Sequence, residues 1–202
     1  MTLLLGLDGE MSDSELEKGA VLLQIGVCDH YGNTFESLIG HPEGWYKTEQ
    51  ASAVHMIPDE DILSAEPAEV VDARLRRWLD ERLDDSLQRD ERTGLRPFVP
   101  LGWNVGGFDM PFVRKFLPKS CELISRRSLD LNALCFALEA AGVTYEGERL
   151  SFNQWKNLAH DHAENLLGES NWHDALYDAQ ASLLSFNFLT GVFELKDYSP
   201  HF

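Results

Sequence analysis

The sequence predicts a three-layer α/β/α domain built on a mixed five-stranded β-sheet. Three apolar, strand-like segments come first, at 2–10, 20–28 and 34–39, and a Gly-Asn turn separates the last two. Helical patterns then alternate with further strand-like segments. This succession is typical of a mixed sheet that is covered by helices on both faces. We expect one domain spanning 1–202, because this length and a hydrophobic content of 44% suit a single core.

The first strand ends in two acidic residues, Asp8 and Glu10. Side chains two residues apart in an extended chain point to the same face, so we expect these two to lie side by side. Adjacent carboxylates repel each other unless a cation lies between them, and this favours a divalent-metal site. A charged turn is the alternative, because 34 acidic residues make such pairs common and a second pair, Asp13 with Glu15, follows at once.

The segment after the three strands is predicted to be helical. Residues 45–61 show an irregular or short-helical pattern, with Ala51, Val54 and Ile57 on the buried side. A long helix is predicted after Pro67, which fits a first helical turn. Its apolar positions keep helical spacing and are Val71, Leu75, Trp78, Leu79 and Leu83.

The next part of the chain alternates strands and helices. An apolar strand is predicted at 97–103, and a short helix lies between Pro111 and Pro118. A further strand is predicted at 122–126. Asp130 then has the features of an N-cap that begins the following helix. These segments supply the fourth and fifth strands of the predicted sheet.

Asp109 is the second candidate carboxylate for a functional site. It stands after the strand at 97–103 and at the start of a predicted helix, so helix capping is an alternative role for it. Gly106 and Gly107 precede it closely and leave room for the backbone of a ligand.

A third candidate is the pair His173 and Asp178 at the start of the last helix, which is predicted to run from 174 to 193. His173 alone is a weak signal, since a surface histidine at a helix start is common. The ends of the strands and helices that carry Asp8, Asp109 and Asp178 meet at one edge of an α/β sheet, where such folds place their sites. Their joint occurrence in this order therefore favours a catalytic site.

These residues resemble the three motifs of the DEDDh 3′→5′ exonucleases, the superfamily of oligoribonuclease, ribonuclease T and the proofreading subunit of bacterial DNA polymerase III. The matching segments are Asp8-Gly9-Glu10, Asn104-x-x-x-Phe108-Asp109 and His173-x-Ala175-x-x-Asp178. The resemblance implies a ribonuclease H-like fold. It also implies hydrolysis at the 3′ ends of short or single-stranded nucleic acid, with RNA slightly favoured over DNA.

The resemblance further implies the roles of individual residues. The four carboxylates of Asp8, Glu10, Asp109 and Asp178 would hold two Mg²⁺ or Mn²⁺ ions, and His173 would act as the general base. The implied substrate contacts are Gly9, Met11, His55, Asn104 and Phe108. Two residues depart from the common pattern of the family: Met11 replaces a threonine and Gln24 replaces a glutamate.

Charge and composition restrict the partners. The net charge of −17 and the pI near 4.6 argue against a broad basic face for duplex DNA or for an anionic membrane. We expect no secretory signal and no transmembrane segment. Cys28, Cys121 and Cys135 have no metal-ligand spacing and are expected in the core of a cytoplasmic protein. The sequence leaves open whether the chain forms a homodimer.

Two other functions stay open at this point. One is a catalytically silent, ribonuclease H-like domain that binds nucleic acid, although degenerate copies are expected to lose carboxylates first and all four are present. The other is a proofreading-type subunit whose main role is to dock on a polymerase.

Overall fold

The computed structural model describes residues 3–83, 97–168 and 171–194. Its main sheet has five strands in the order β3-β2-β1-β4-β5. The strands are β1 (Leu3–Met11), β2 (Leu22–Asp29), β3 (Thr34–Leu38), β4 (Phe98–Gly102) and β5 (Leu129–Asp130). β1, β2 and β3 pair antiparallel, whereas β1, β4 and β5 pair parallel. The predicted mixed five-stranded sheet is confirmed.

Seven α-helices accompany the sheet in the described part of the chain. They are α1 (Glu49–His55), α2 (Asp59–Ser64), α3 (Ala68–Asp80), α4 (Asp109–Phe116), α5 (Leu131–Ala140), α6 (Phe152–Leu167) and α7 (Ala175–Glu194). One apolar core lies between the sheet, α3 and α4. A second core lies between the sheet, α5, α6 and α7. The fold therefore has the three layers of the ribonuclease H-like architecture.

Two glycines allow α7 to pack directly on the sheet. A Cβ atom on Gly6 of β1 would lie 2.4 Å from the carbonyl oxygen of Ala179. A Cβ atom on Gly26 of β2 would lie 2.2 Å from the carbonyl group of Ala175. Real Cβ atoms essentially never come within 3.0 Å of backbone atoms. These glycines thus let the first turns of α7 lie against the centre of the sheet.

The position of the fifth strand differs from the prediction. The prediction of a strand at 122–126 is wrong, because β5 is the two-residue segment Leu129–Asp130. Ser120–Glu122 forms a 3₁₀ helix instead, and Ile124 makes only an isolated bridge with Phe98. The carboxylate of Asp72 explains the turn, since it accepts hydrogen bonds from the backbone N–H groups of Lys119 at 2.9 Å and Ser120 at 2.8 Å.

The helical segment after β3 also differs in detail. Val54 was expected on the buried side but is 42% exposed, whereas His55 is buried. α1 ends at His55, and Met56 follows with a left-handed backbone at φ 53°. This break changes the phase of the pattern, so one helical periodicity does not hold across 45–61.

Three other expectations can be compared with the structure. Asp130 is the N-cap of α5, as predicted, and its side chain accepts a hydrogen bond from the backbone of Asn132. All three cysteines are buried and free. Within the described ranges, none of the helices is long and apolar enough to cross a membrane. A short hairpin, β6 (Thr144–Tyr145) with β7 (Glu148–Arg149), was not predicted.

Candidate active site

The motif residues lie around one cleft of about 450 Å³ at the far end of β1. The residues that bring chemistry to its lining are Asp8, Glu10, Asp109, His173 and Asp178. The structure therefore brings together all four predicted carboxylates and the predicted histidine. They come from three separate parts of the chain, so their convergence is a property of the fold.

The pairing of β1 explains how Asp8 and Glu10 reach this cleft. β1 pairs with β4 only from Leu3 to Gly6, whereas its pairing with β2 continues to its end. The acidic half of β1 thus extends beyond the end of β4. Asp8 and Glu10 share a face of β1 with Gly6, and this is the face on which α7 packs.

Asp109 is fixed to β1 by a hydrogen bond. Its Oδ1 accepts from the backbone N–H of Gly9 at 3.1 Å. Asp109 is the first residue of α4, and the N-cap position belongs to Phe108, whose side chain makes no capping bond. The capping role considered for Asp109 is therefore not the observed arrangement. Its carboxylate instead ties the start of α4 to the end of β1.

Asp178 and His173 are connected through the backbone. The N–H of His173 donates to Asp178 Oδ2 at 3.1 Å, and His173 has a left-handed backbone at φ 70°. Asp174 supplies the N-terminal cap of α7, since its Oδ1 accepts from the N–H of Tyr177 at 3.0 Å. The other oxygen of Asp178, Oδ1, is buried and has no hydrogen-bond partner within the described residues.

Burial first, and neighbouring carboxylate charges second, raise the pKa values of the four carboxyl groups. Burial and then the charges of Asp109 and Asp178 raise the pKa of Asp8 well above its usual range. Burial and the charge of Asp178 raise the pKa of Glu10 to about 8. Burial raises the pKa of Asp109 to about 7 and that of Asp178 to about 6, although each accepts a backbone hydrogen bond that lowers it. The cluster thus lacks a positive charge.

The donor set fits a divalent cation. Ligand atoms of Glu10, His173 and Asp178 all lie within 4.8 Å of one another. A buried, unpartnered carboxylate oxygen on Asp178 and the raised pKa values are what a missing counter-charge would produce. Carboxylate oxygens and an imidazole nitrogen are ligands that divalent cations accept in proteins.

The five residues implied as substrate contacts divide into two groups. Gly9, Met11 and Phe108 line the cleft. Met11 is buried, Phe108 is 38% exposed, and the N–H of Gly9 is already bonded to Asp109. Asn104 and His55 are not in the lining.

Local contacts explain why Asn104 and His55 lie elsewhere. The backbone N–H of Asn104 donates to Asp130 at 3.1 Å, in a left-handed turn at φ 59°. His55 Nδ1 accepts from the N–H of Ile57 at 3.0 Å, and its ring is buried. The structure thus gives both residues a contact that shapes a loop.

Gly106 and Gly107 pack close to other side chains of the protein. Neither lines the cleft. A Cβ atom on Gly106 would lie 2.2 Å from Oγ of Ser128, and one on Gly107 would lie 2.9 Å from Oδ1 of Asn104. That these glycines admit a ligand backbone therefore stays a prediction, whereas their close approach to Ser128 and Asn104 is observed.

Sequence reasoning missed one side of the cleft. The lining also includes Trp103, Lys156, His160 and Trp172. Arg114 and Lys115, the cations nearest in sequence to Asp109, are exposed and do not line the cleft. Two weak signals were present: Lys156 and His160 are four apart on one helix, and Trp172 directly precedes His173.

Comparison with known proteins yields solved structures only. No protein-family model matches the chain, and no curated protein matches it. Many solved structures do share its fold. At the 14–16% sequence identity of the two proteins described below, the likeness shows the fold alone, which is ribonuclease H-like as expected.

Two proteins represent these neighbours. A zinc-bound complex of E. coli exonuclease I with single-stranded DNA matches with a TM-score of 0.64 and 16% identity, over 96% of this chain and 42% of that one. Cell-death related nuclease 4 matches with a TM-score of 0.59 and 14% identity, over 95% of this chain and 65% of that one. The chain thus spans less than half the length of exonuclease I.

Proposed function

We propose that the protein is a metal-dependent 3′→5′ exonuclease that hydrolyses phosphodiester bonds at the ends of single-stranded nucleic acid. The observation that carries this proposal is the convergence of four carboxylates with raised pKa values and one exposed histidine in a single cleft. Like charges are held together there at a cost to folding, and such an arrangement is expected at a functional site.

Asp8, Glu10, Asp109 and Asp178 would hold two Mg²⁺ or Mn²⁺ ions in this proposal. When bound, the ions would neutralise the phosphate and stabilise both the attacking and the leaving oxygen. The protein's part is to fix the carboxylates. Strand geometry fixes Asp8 and Glu10, the bond to Gly9 fixes Asp109, and the bond from the backbone of His173 fixes Asp178.

His173 is the proposed general base. His173 is exposed and lines the cleft, where an imidazole nitrogen can accept a proton from a water molecule. Its backbone bond to Asp178 keeps the residue beside the carboxylate cluster. Proton removal and substrate positioning would thus occur at one point of the cleft.

The acidic surface favours a short or unpaired substrate. A net charge of −17 repels a long polyanion, and the described cleft lining contains one lysine and no arginine. The structural neighbour exonuclease I was solved with single-stranded DNA, which is consistent with an unpaired strand. The motif resemblance slightly favours RNA over DNA.

Digestion of end-labelled strands tests the proposal. Matched single-stranded RNA, single-stranded DNA and duplexes, each labelled at the 5′ end, would be incubated with Mn²⁺ or Mg²⁺. We expect a ladder that shortens from the 3′ end, the fastest digestion on single strands, and no digestion of strands with a blocked 3′ end. Release of internal fragments, or unchanged digestion of blocked strands, would contradict the exonuclease assignment.

A variant pair shows whether the cleft performs this reaction. Asp109→Asn should abolish digestion, because it removes one of the charges that would hold the ions. Asp161→Asn is the matched control, since Asp161 is exposed on α6 outside the cleft lining. Equal activity of Asp109→Asn and the control would assign the hydrolysis to another site.

A further inference from the structure

One wall of the cleft is aromatic and does not belong to the carboxylate motifs. We define the aromatic wall as Trp103, His160 and Trp172. The ring of His160 lies between the two indoles, with its centroid 4.7 Å from that of Trp103 and 4.8 Å from that of Trp172. The His160 and Trp172 rings are stacked at 23°. All three residues line the same cleft as the carboxylates.

Three separate elements build this wall. Trp103 follows the last residue of β4, His160 lies in α6, and Trp172 lies just before α7 and next to His173. The orientation of Trp172 is restrained by a hydrogen bond, because its indole N–H donates to the carboxylate of Glu164. The wall is thus a fixed surface beside the proposed catalytic histidine.

A single cation accompanies the wall. Among the described residues that line the cleft, Lys156 is the only lysine or arginine. It lies one helical turn before His160, and its ammonium group is 5.2 Å from the centroid of the Trp103 ring. In a chain with a net charge of −17, a lone cation in an acidic cleft is placed to meet an anionic group.

Two ring nitrogens in the wall are left without partners. Trp103 Nε1 and His160 Nε2 are buried and have no hydrogen bond to any residue in the described ranges. Burial and then the nearby charge of Lys156 lower the pKa of His160, which favours its uncharged ring. Packing for stability alone would favour apolar side chains here, because unpaired buried polar atoms disfavour folding.

We propose that the aromatic wall stacks a nucleobase of the bound single strand, while Lys156 contacts an adjoining phosphate. The inference rests on the proposed function, since it states how the same cleft holds its substrate. Aromatic rings beside a cation are the arrangement that binds single strands without reading their sequence. The aromatic wall and Lys156 would contact only a few nucleotides, which agrees with a strand that is bound only near its end.

Binding without hydrolysis tests this inference. The Kd of fluorescently labelled single-stranded RNA and DNA would be measured in Ca²⁺, which replaces the catalytic metal. Trp172→Leu should weaken binding about 5- to 100-fold, the usual contribution of one stacked base, whereas Trp172→Phe should retain most of it. Equal Kd values for the parent and Trp172→Leu would overturn the proposal.

Lys156→Gln should weaken binding and reduce the steepness of the salt dependence by about 0.7, the value for one phosphate contact on a single strand. Lys115→Gln is the matched control, because Lys115 also lies over an aromatic ring, 5.1 Å from the centroid of Phe116, but outside the cleft. An equal effect of both variants would assign the loss to general surface charge and contradict a phosphate contact at Lys156.

A scan with strands that lack single bases adds a measurement on the parent protein itself. One abasic position should weaken binding by the parent as much as Trp172→Leu does, and the two changes together should cost little more than either alone. Additive effects at every position would exclude stacking on the wall. An inactive parent in the digestion assay would refute the exonuclease proposal, whereas failure of the wall would appear here, in Kd values alone.

Discussion

His173 combines an exposed ring with a restrained backbone. Its left-handed φ of 70° is unusual for a side chain with a Cβ atom, and the bond from its N–H to Asp178 holds it there. Backbone strain of this kind persists where neighbouring contacts over-determine it, often at functional sites. The left-handed backbone and the hydrogen bond together hold His173 beside the carboxylate cluster.

Replacement of His173 by alanine should lower turnover by about 10²- to 10⁴-fold, the usual contribution of a general base. Binding of Mn²⁺ should survive in part, because the four carboxylates remain. His30→Ala is the control, because His30 is exposed outside the cleft lining. Parental turnover in His173→Ala at neutral pH would remove His173 from the mechanism.

Gln24 shows how a departure from the family pattern is accommodated. Its Nε2 donates to Glu36 at 2.7 Å, and its Oε1 accepts from the N–H of Ala175 at 3.3 Å. An amide can do both, whereas a carboxylate can only accept. Gln24 therefore links β2, β3 and the first residue of α7 without adding another charge beside Asp174.

At the scale of elements, the position of α7 decides whether the site exists. Its first turns carry Asp178, and they reach β1 only because Gly6 and Gly26 have no side chains. Asp8 pairs with Gly26 in the β1–β2 register, so the glycine contact lies directly beside the carboxylates. The close approach of helix and sheet is thus part of the site.

Gly26→Ala should displace the start of α7, because its Cβ would lie 2.2 Å from the backbone of Ala175. Overpacking of this kind costs about 1–3 kcal/mol of unfolding free energy. We expect hydrolysis to fall further than the folded fraction, as measured by activity and urea unfolding on the same samples. Gly191→Ala is the control: Gly191 lies in α7, a Cβ atom there would meet open space, and the change should be neutral or slightly stabilising. Parental activity in Gly26→Ala would contradict the positioning role of this contact.

The local elements of the site could be predicted, whereas the contacts across elements could not. Strand periodicity was enough to place Asp8 and Glu10 side by side, and the order of strands and helices predicted where Asp109 and Asp178 would meet them. The aromatic wall depends on how α6 packs beside α7, which no local pattern encodes. β5 was misplaced because the turn before it is set by the distant carboxylate of Asp72.

At the scale of the whole molecule, charge repulsion is concentrated at the cleft. The net charge of −17 is spread over the surface, but four raised carboxyl pKa values lie in one cluster. The pKa of Glu10 rises from 4.5 to about 8, and that of Asp178 rises from 3.8 to about 6. Over the pH range between each group's ordinary pKa and its raised pKa, the folded chain binds more protons than the unfolded chain. The unfolding free energy therefore falls as pH rises through this range.

The most direct measurement of the central claim is therefore stability with and without metal. The parent, Asp178→Asn and the exposed control Asp161→Asn would be unfolded with urea from about pH 5.5 to about pH 8.5, in chelator and in Mn²⁺. Asparagine retains an oxygen that can accept the N–H of His173, so Asp178→Asn removes charge with little change in shape.

We predict that in chelator the parent loses stability as pH rises, and that Mn²⁺ restores it. Asp178→Asn should be more stable than the parent in chelator at high pH and should gain much less from Mn²⁺, while Asp161→Asn should follow the parent. The contradicting result is an Asp178→Asn variant that unfolds more easily than the parent in chelator, or that gains as much unfolding free energy from Mn²⁺. The carboxylates would then be structural, and the assignment of a metal-dependent nuclease site would be wrong.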